Sequence, residues 1–175
     1  MRIMRQIKWW WHDFKQGCKN IKTFWRVIWR FKPWDYGYQL QLWRASLVPL
    51  RDAIQAGNEV DVTRLKKVAK IQRCIDLIDR IHDDDYFALA EAELGETVEI
   101  FDVATKIYVD QIRKVGSLAE KMANADWEEL WRTLQGQRDI EFRMMYEKLD
   151  VESYDEYYDV YGKWFDGSGI KNWWN

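Results

Sequence analysis

The chain has 175 residues, 29 acidic and 27 basic, and carries twelve Trp, nine Tyr and seven Phe with only two Pro. That length suits one domain with a sizeable core, and the aromatic content excludes extensive disorder. No run reaches the roughly 18–20 apolar residues a bilayer span needs. The opening "MRIMRQIKWWWHDF" also lacks a signal peptide's apolar core and cleavage site, so a cytosolic location is expected.

The net charge is −2, but it is unevenly spread. Residues 1–34 hold nine Lys and Arg against the single acid Asp13, a net of +8, which leaves −10 on the remainder. A basic arm for nucleic acid or an anionic membrane is one explanation. Mutual attraction between two parts of the fold, or between subunits, is the preferred one. The sequence therefore divides into a basic Trp-rich arm, 1–34, and a helical body, 35–175, with a Tyr-rich acidic end.

Residues 2–31 predict an amphipathic helix. Ile3, Ile7, Trp10 and Phe14 recur at helical spacing, Gly17 is expected to interrupt, and Ile21, Trp25 and Ile28 resume the stripe. Lys32-Pro33 ends it, because the residue before proline is driven out of helical geometry. Asp35 is placed to cap the next helix. There Tyr36, Leu40, Trp43, Leu47, Leu50 and Ile54 form an apolar seam in which Pro49 produces a kink. Tyr36 and Trp43 are assigned to the core.

A second seam follows the loop 56–61: Leu65, Val68, Ile71, Ile75 and Ile78, widened by Leu77 and Ile81. The acids of "HDDDY" suit a helix start, so a turn is placed there, and Phe87, Ala90 and Leu94 begin another helix bent at Gly95. The stripe from Phe101 through Val115 to Met122 continues it. Asn124 or Asp126 is expected to cap a further helix, dented at Gly136, that ends with Phe142, Met145 and Leu149. Ser153 is a candidate cap for a short helix bearing Tyr157, Tyr158, Tyr161 and Trp164. The fold class is all-α, a bundle of about five to six helices.

No phosphate-cradling glycine loop, metalloprotease motif or nucleophile elbow is present. No catalytic residue, cofactor or metal ligand is assigned. Asp76, Asp79 and Asp83 share a helix face, and a solvated acidic surface is preferred there over a cation site. Cys18 and Cys74 have no partner spacing. Lys66, Lys70 and Arg73 form a basic stripe, extended by Arg80, and Arg44 and Arg51 flank the preceding seam. In an antiparallel hairpin these cations converge on an anion such as phosphate. Trp34 and Tyr38 lie off the apolar stripe beside arginines, as base stacking requires, and Trp173 and Trp174 read as a groove plug or a docking motif.

Three stretches carry a resemblance: "WDYGYQLQL" (Trp34 to Leu42), "AKIQRCIDLIDRIHDDDY" (Ala69 to Tyr86), and the terminal Trp-Trp pair. Together, over about a sixth of the chain, they resemble a family of small, functionally uncharacterised proteins of tailed bacteriophages. The family more often ends in Asp where this chain has Asn175. The resemblance implies an infected bacterial cytoplasm and a role against host defence.

The leading expectation is thus a non-enzymatic protein that sequesters a nucleotide-type immune signal, as a homo-oligomeric sponge. Its ligand-binding residues would be Trp34, Tyr38, Arg44, Arg51, Lys66, Lys70, Arg73 and Trp174. The second is an interaction or assembly factor docking a host or phage protein through its aromatic surface and terminal Trp-Trp. Peripheral membrane attachment through residues 2–31 ranks third; neither a membrane nor extended nucleic acid is an expected partner, the latter given the acidic remainder.

Overall fold

Periodic apolar residues with few breakers produce helices throughout. The computed structural model describes residues 2–57, 61–95, 105–147 and 154–173, and among them every regular element is helical. The expected cap at Ser153, the stripe residue Phe101 and the terminal Trp174 lie outside the described residues. Chain order is α1 (Arg2–Arg30), α2 (Tyr36–Gln55), α3 (Asp61–Asp83), α4 (Tyr86–Leu94), α5 (Thr105–Gln135), α6 (Asp139–Tyr146), α7 (Tyr154–Trp164) and α8 (Ile170–Trp173). The chain forms two compact units, residues 1–49 and 50–175.

In the first unit α1 runs unbroken for 29 residues. The expected interruption at Gly17 does not occur, since one glycine in a helix interior costs only about 1 kcal/mol relative to alanine. The chain turns at Lys32–Asp35, where the Asp35 amide donates to the Lys32 carbonyl. Asp35 then caps α2 as its residue type predicts: its Oδ1 accepts the Gly37 amide at 2.9 Å. Leu40 and Leu47 of the α2 seam are buried, but Tyr36 (57 % exposed) and Trp43 (39 %) are not core residues. Their place on the stripe is right. Both lie in the middle of it by helical pitch, so sharing a face with Leu40 and Leu47 does not by itself bury them, and rings with a polar handle tolerate exposure.

The second unit is built on α3, which packs against α5, as α4 does. Ile71, Cys74, Ile75, Leu77, Ile78 and Ile81 from α3 meet Tyr86 and Ala90 from α4 and Val115 and Leu130 from α5 in the buried set. Leu65, expected in that seam, is 61 % exposed. The "HDDDY" turn is real: α3 stops at Asp83, Asp84 adopts φ 53°, and α4 starts at Tyr86. The expected cap at Asn124 or Asp126 is not one. Helix α5 passes straight through both positions, and Gly136, with φ 70°, ends it.

The eight helices among the described residues exceed the expected five to six. The excess arises because Gly95 and Gly136 end helices outright and the last residues add one short helical turn. The Tyr-rich end forms a second cluster: Phe142 of α6 sits 5.6 Å from Tyr157, 5.2 Å from Tyr161 and 5.0 Å from Trp164 of α7. These tilted and edge-on pairings are the arrangements ring quadrupoles favour.

Candidate functional site

The expected binding residues fall into two groups: the cations of α2 and α3, and the rings Trp34, Tyr38 and Trp174. The α3 cations are consumed by the second unit's own architecture. The Lys66 ammonium donates to the carbonyls of Gly162 and Phe165, both at 2.8 Å. Lys70 lies 3.3 Å from Asp166. Arg73 makes a two-pronged pair with Glu129 of α5, 2.7 Å in each arm. Arg80 reaches both oxygens of Asp126, and Arg51 donates to Gln72 and Asp52. The stripe is thus a row of ties to α5, to the end of α7 and to the segment that follows it.

Asp126 is the residue that sequence reasoning misassigned. Its side chain is 6 % exposed, and it also accepts the Tyr86 hydroxyl at 2.7 Å. Burial and that bond hold the Tyr86 phenol well above its usual range. Arg73 holds the Glu129 carboxyl below the ordinary value through its hydrogen bonds. Asp166 is pushed up by burial, yet its carboxyl ends below normal because the Ser168 hydroxyl and amide and the Lys70 ammonium favour the charged form. Cys74, free and buried, has its thiol raised to about 12 by desolvation, the behaviour of an inert core thiol. Asp126 and Glu129 are legible in the sequence only as acids one helical turn apart.

A cleft of about 450 Å³ opens beside Lys70 and Arg132, but Glu128, Glu129 and Asp166 also line it. With acids outnumbering cations, it disfavours a phosphate. Another, of about 520 Å³, is lined by Glu93, Leu94 and Leu118 with Arg113, Lys114 and Lys121, and by no aromatic ring. Trp173 is buried, 2 % exposed, with its indole N–H donating to the Gly167 carbonyl at 2.8 Å. It plugs its own unit.

The first-unit residues are differently disposed. Trp34 is 81 % exposed. Tyr38 is half-buried, with the Lys32 ammonium 5.9 Å from its ring centre, and Arg44 is exposed on α2. Along α1 the apolar stripe is uncovered. Ile7, Trp10, Trp11, Phe14, Ile21, Trp25, Ile28 and Trp29 are each at least half exposed. They fall within an arc of roughly 100° of the helix.

The rings also touch one another along that arc. Phe14 stacks with Trp10 (5.7 Å) and Trp11 (5.8 Å), and Trp25 stacks on Trp29 at 5.0 Å. Each is an i, i+3 or i, i+4 neighbour pair, the spacing at which helix side chains meet. Trp9, 64 % exposed, is an exception on the polar side. Among the described residues no helix is long and apolar enough to cross a membrane.

No family model, curated protein or solved structure matches the chain.

Proposed function

We propose that this is a peripheral membrane-binding protein in which α1 lies in the plane of a bilayer interface and the second unit is a rigid helical body. The observation that carries this reading is the uncovered aromatic stripe of α1. Eight large apolar side chains, each at least half exposed, amount to a patch on the order of 800 Å², above the roughly 300–600 Å² found on a monomer. Such a face needs an occupant.

Chemistry selects which one. Tryptophan combines a large apolar body with one polar N–H, which suits the boundary between headgroups and acyl chains. The opposite face carries Lys and Arg, so the helix is too polar to span but suited to lie flat. A second copy of the arm is disfavoured, because pairing two segments of net +8 sets like charges side by side.

The test is co-sedimentation of the full chain with phosphatidylcholine/phosphatidylglycerol vesicles, together with tryptophan emission. Binding with a blue shift is expected. Replacing Trp10, Trp25 and Trp29 together with alanine should weaken it at least about 100-fold, since burying one large side chain is worth about 1.5–3 kcal/mol. Absence of wild-type binding at low salt, or unchanged binding in the triple variant, refutes the reading.

A further inference from the structure

The cations of α1 are not spread evenly over its polar face. Lys8, Lys15 and Lys22 follow one another at seven-residue steps, and Lys19, Arg26 and Arg30 lie just above that row. At about 100° per residue these six of the eight α1 cations fan out from the edge of the apolar arc occupied by Trp11 and Trp29, Lys22 and Lys15 nearest to it and Arg30 farthest. The other edge is bordered by Gln6, Asp13 and Asn20, again at seven-residue steps, and over residues 6–30 no cation lies on that side. This helix therefore has a charged margin and an uncharged or acidic one.

All six cations are exposed. Among the described residues none of them pairs with a carboxylate, unlike the α3 cations, which the body consumes. Lys15 has its ammonium 5.3 Å from the Trp11 ring centre, at the junction of the charged margin with the aromatic stripe. An ammonium over an indole leaves its remaining N–H donors directed outward. Lys side chains can also lay their methylene stems along an apolar face while the charge stays at the water boundary.

Building on the membrane reading above, we infer that this margin is a headgroup-binding edge selective for anionic phospholipids. Lys8, Lys15, Lys22 and Arg26 gather phosphates along one side of α1 while the Gln6–Asp13–Asn20 side stays free of them. The helix is therefore rolled about its axis, with the Trp11–Trp29 edge held at phosphate depth. Each cation close to an anionic surface contributes about a fivefold gain in affinity, so removing the row of three costs roughly 100-fold.

The experiment measures binding of the full chain to vesicles of phosphatidylcholine alone and of phosphatidylcholine with 30 % phosphatidylglycerol (about a third anionic, enough for a strong surface potential). Lys8→Gln/Lys15→Gln/Lys22→Gln is compared with Arg143→Gln/Lys163→Gln/Lys171→Gln, which removes as many exposed charges from the second unit. Helix content by circular dichroism shows that each variant is folded.

A strong wild-type preference for anionic vesicles, lost in the α1 variant, kept in the control and diminished by salt, is the expected result. Equal wild-type binding to both vesicles overturns the headgroup edge while leaving the membrane reading standing. So does an α1 variant that keeps the preference. Binding to neither vesicle overturns both. Tighter binding to a random-sequence DNA duplex than to anionic vesicles at the same salt overturns the inference in favour of a nucleic-acid arm.

Discussion

Replacing Asp126 with alanine tests the second unit at its most constrained point. The carboxylate is 6 % exposed and receives Arg80 on both oxygens and the Tyr86 hydroxyl on one. The Arg80 side chain is 46 % exposed, so it can turn to water when its partner is lost, and that arm is worth about 1 kcal/mol or less. Tyr86 is 4 % exposed and has no such escape; orphaning its hydroxyl costs about 1–3 kcal/mol. Asp126→Ala should therefore destabilise by roughly 3 kcal/mol.

Asp126→Asn keeps an acceptor for Tyr86 and should cost about 1–2 kcal/mol, and Tyr86→Phe about 1 kcal/mol. The combination is the sharper test. Once Asp126 is alanine, Tyr86→Phe removes the orphan hydroxyl, so it should become neutral or stabilising instead of additive. Urea unfolding followed by ellipticity at 222 nm measures the wild type and all four variants. An Asp126→Ala loss no larger than about 0.5 kcal/mol, the usual surface effect, or strict additivity with Tyr86→Phe, would refute the account of the network.

Three further outcomes follow from the same unit. Trp173→Ala should cost about 3–5 kcal/mol through the cavity it leaves, and Trp173→Phe much less, near the roughly 1 kcal/mol of its N–H bond; thermal melts distinguish this plug from an exposed docking tag, for which both would be silent. Gly167 has φ 90°, and a Cβ there would lie 2.3 Å from the Lys66 carbonyl oxygen, so Gly167→Ala should lower stability by about 3 kcal/mol or expression altogether. The Glu129 and Asp166 carboxyls are lowered in the folded chain. The unfolded state therefore binds more protons on acidification, and their contribution is present above the unfolded values of about 4 and lost as pH falls through the lower folded ones. Urea midpoints should fall below about pH 4, less steeply in Glu129→Gln/Asp166→Asn.

Local order was legible from residue spacing and chemistry alone. The all-helical class, the Asp35 cap, the turn after Asp83 and the stop near Lys32-Pro33 all depend on backbone sterics and side chains a few residues apart. The same holds for the apolar arc of α1, whose angular arrangement follows from helical pitch. Glycine was harder to read: Gly17 is absorbed and Gly136 terminates, although both are isolated glycines in helical patterns. What separates them is a positive φ at Gly136, where the Gly169 backbone approaches too closely for any Cβ. That neighbour is 33 positions away.

The partners of charges were beyond reach for the same reason. Lys66, Lys70, Arg73 and Arg80 present one basic stripe to a reader of the sequence, and a phosphate is a natural guess for what they hold. Only packing α3 against α5 and the 162–168 segment brings Glu129, Asp126, Asp166 and two carbonyls to them. Conversely, the α1 stripe looks like any core-facing helix, yet in the folded chain its side chains are exposed. Helical periodicity says which side chains share a face. Whether that face meets protein or solvent depends on long-range contacts, and those are a property of the folded chain.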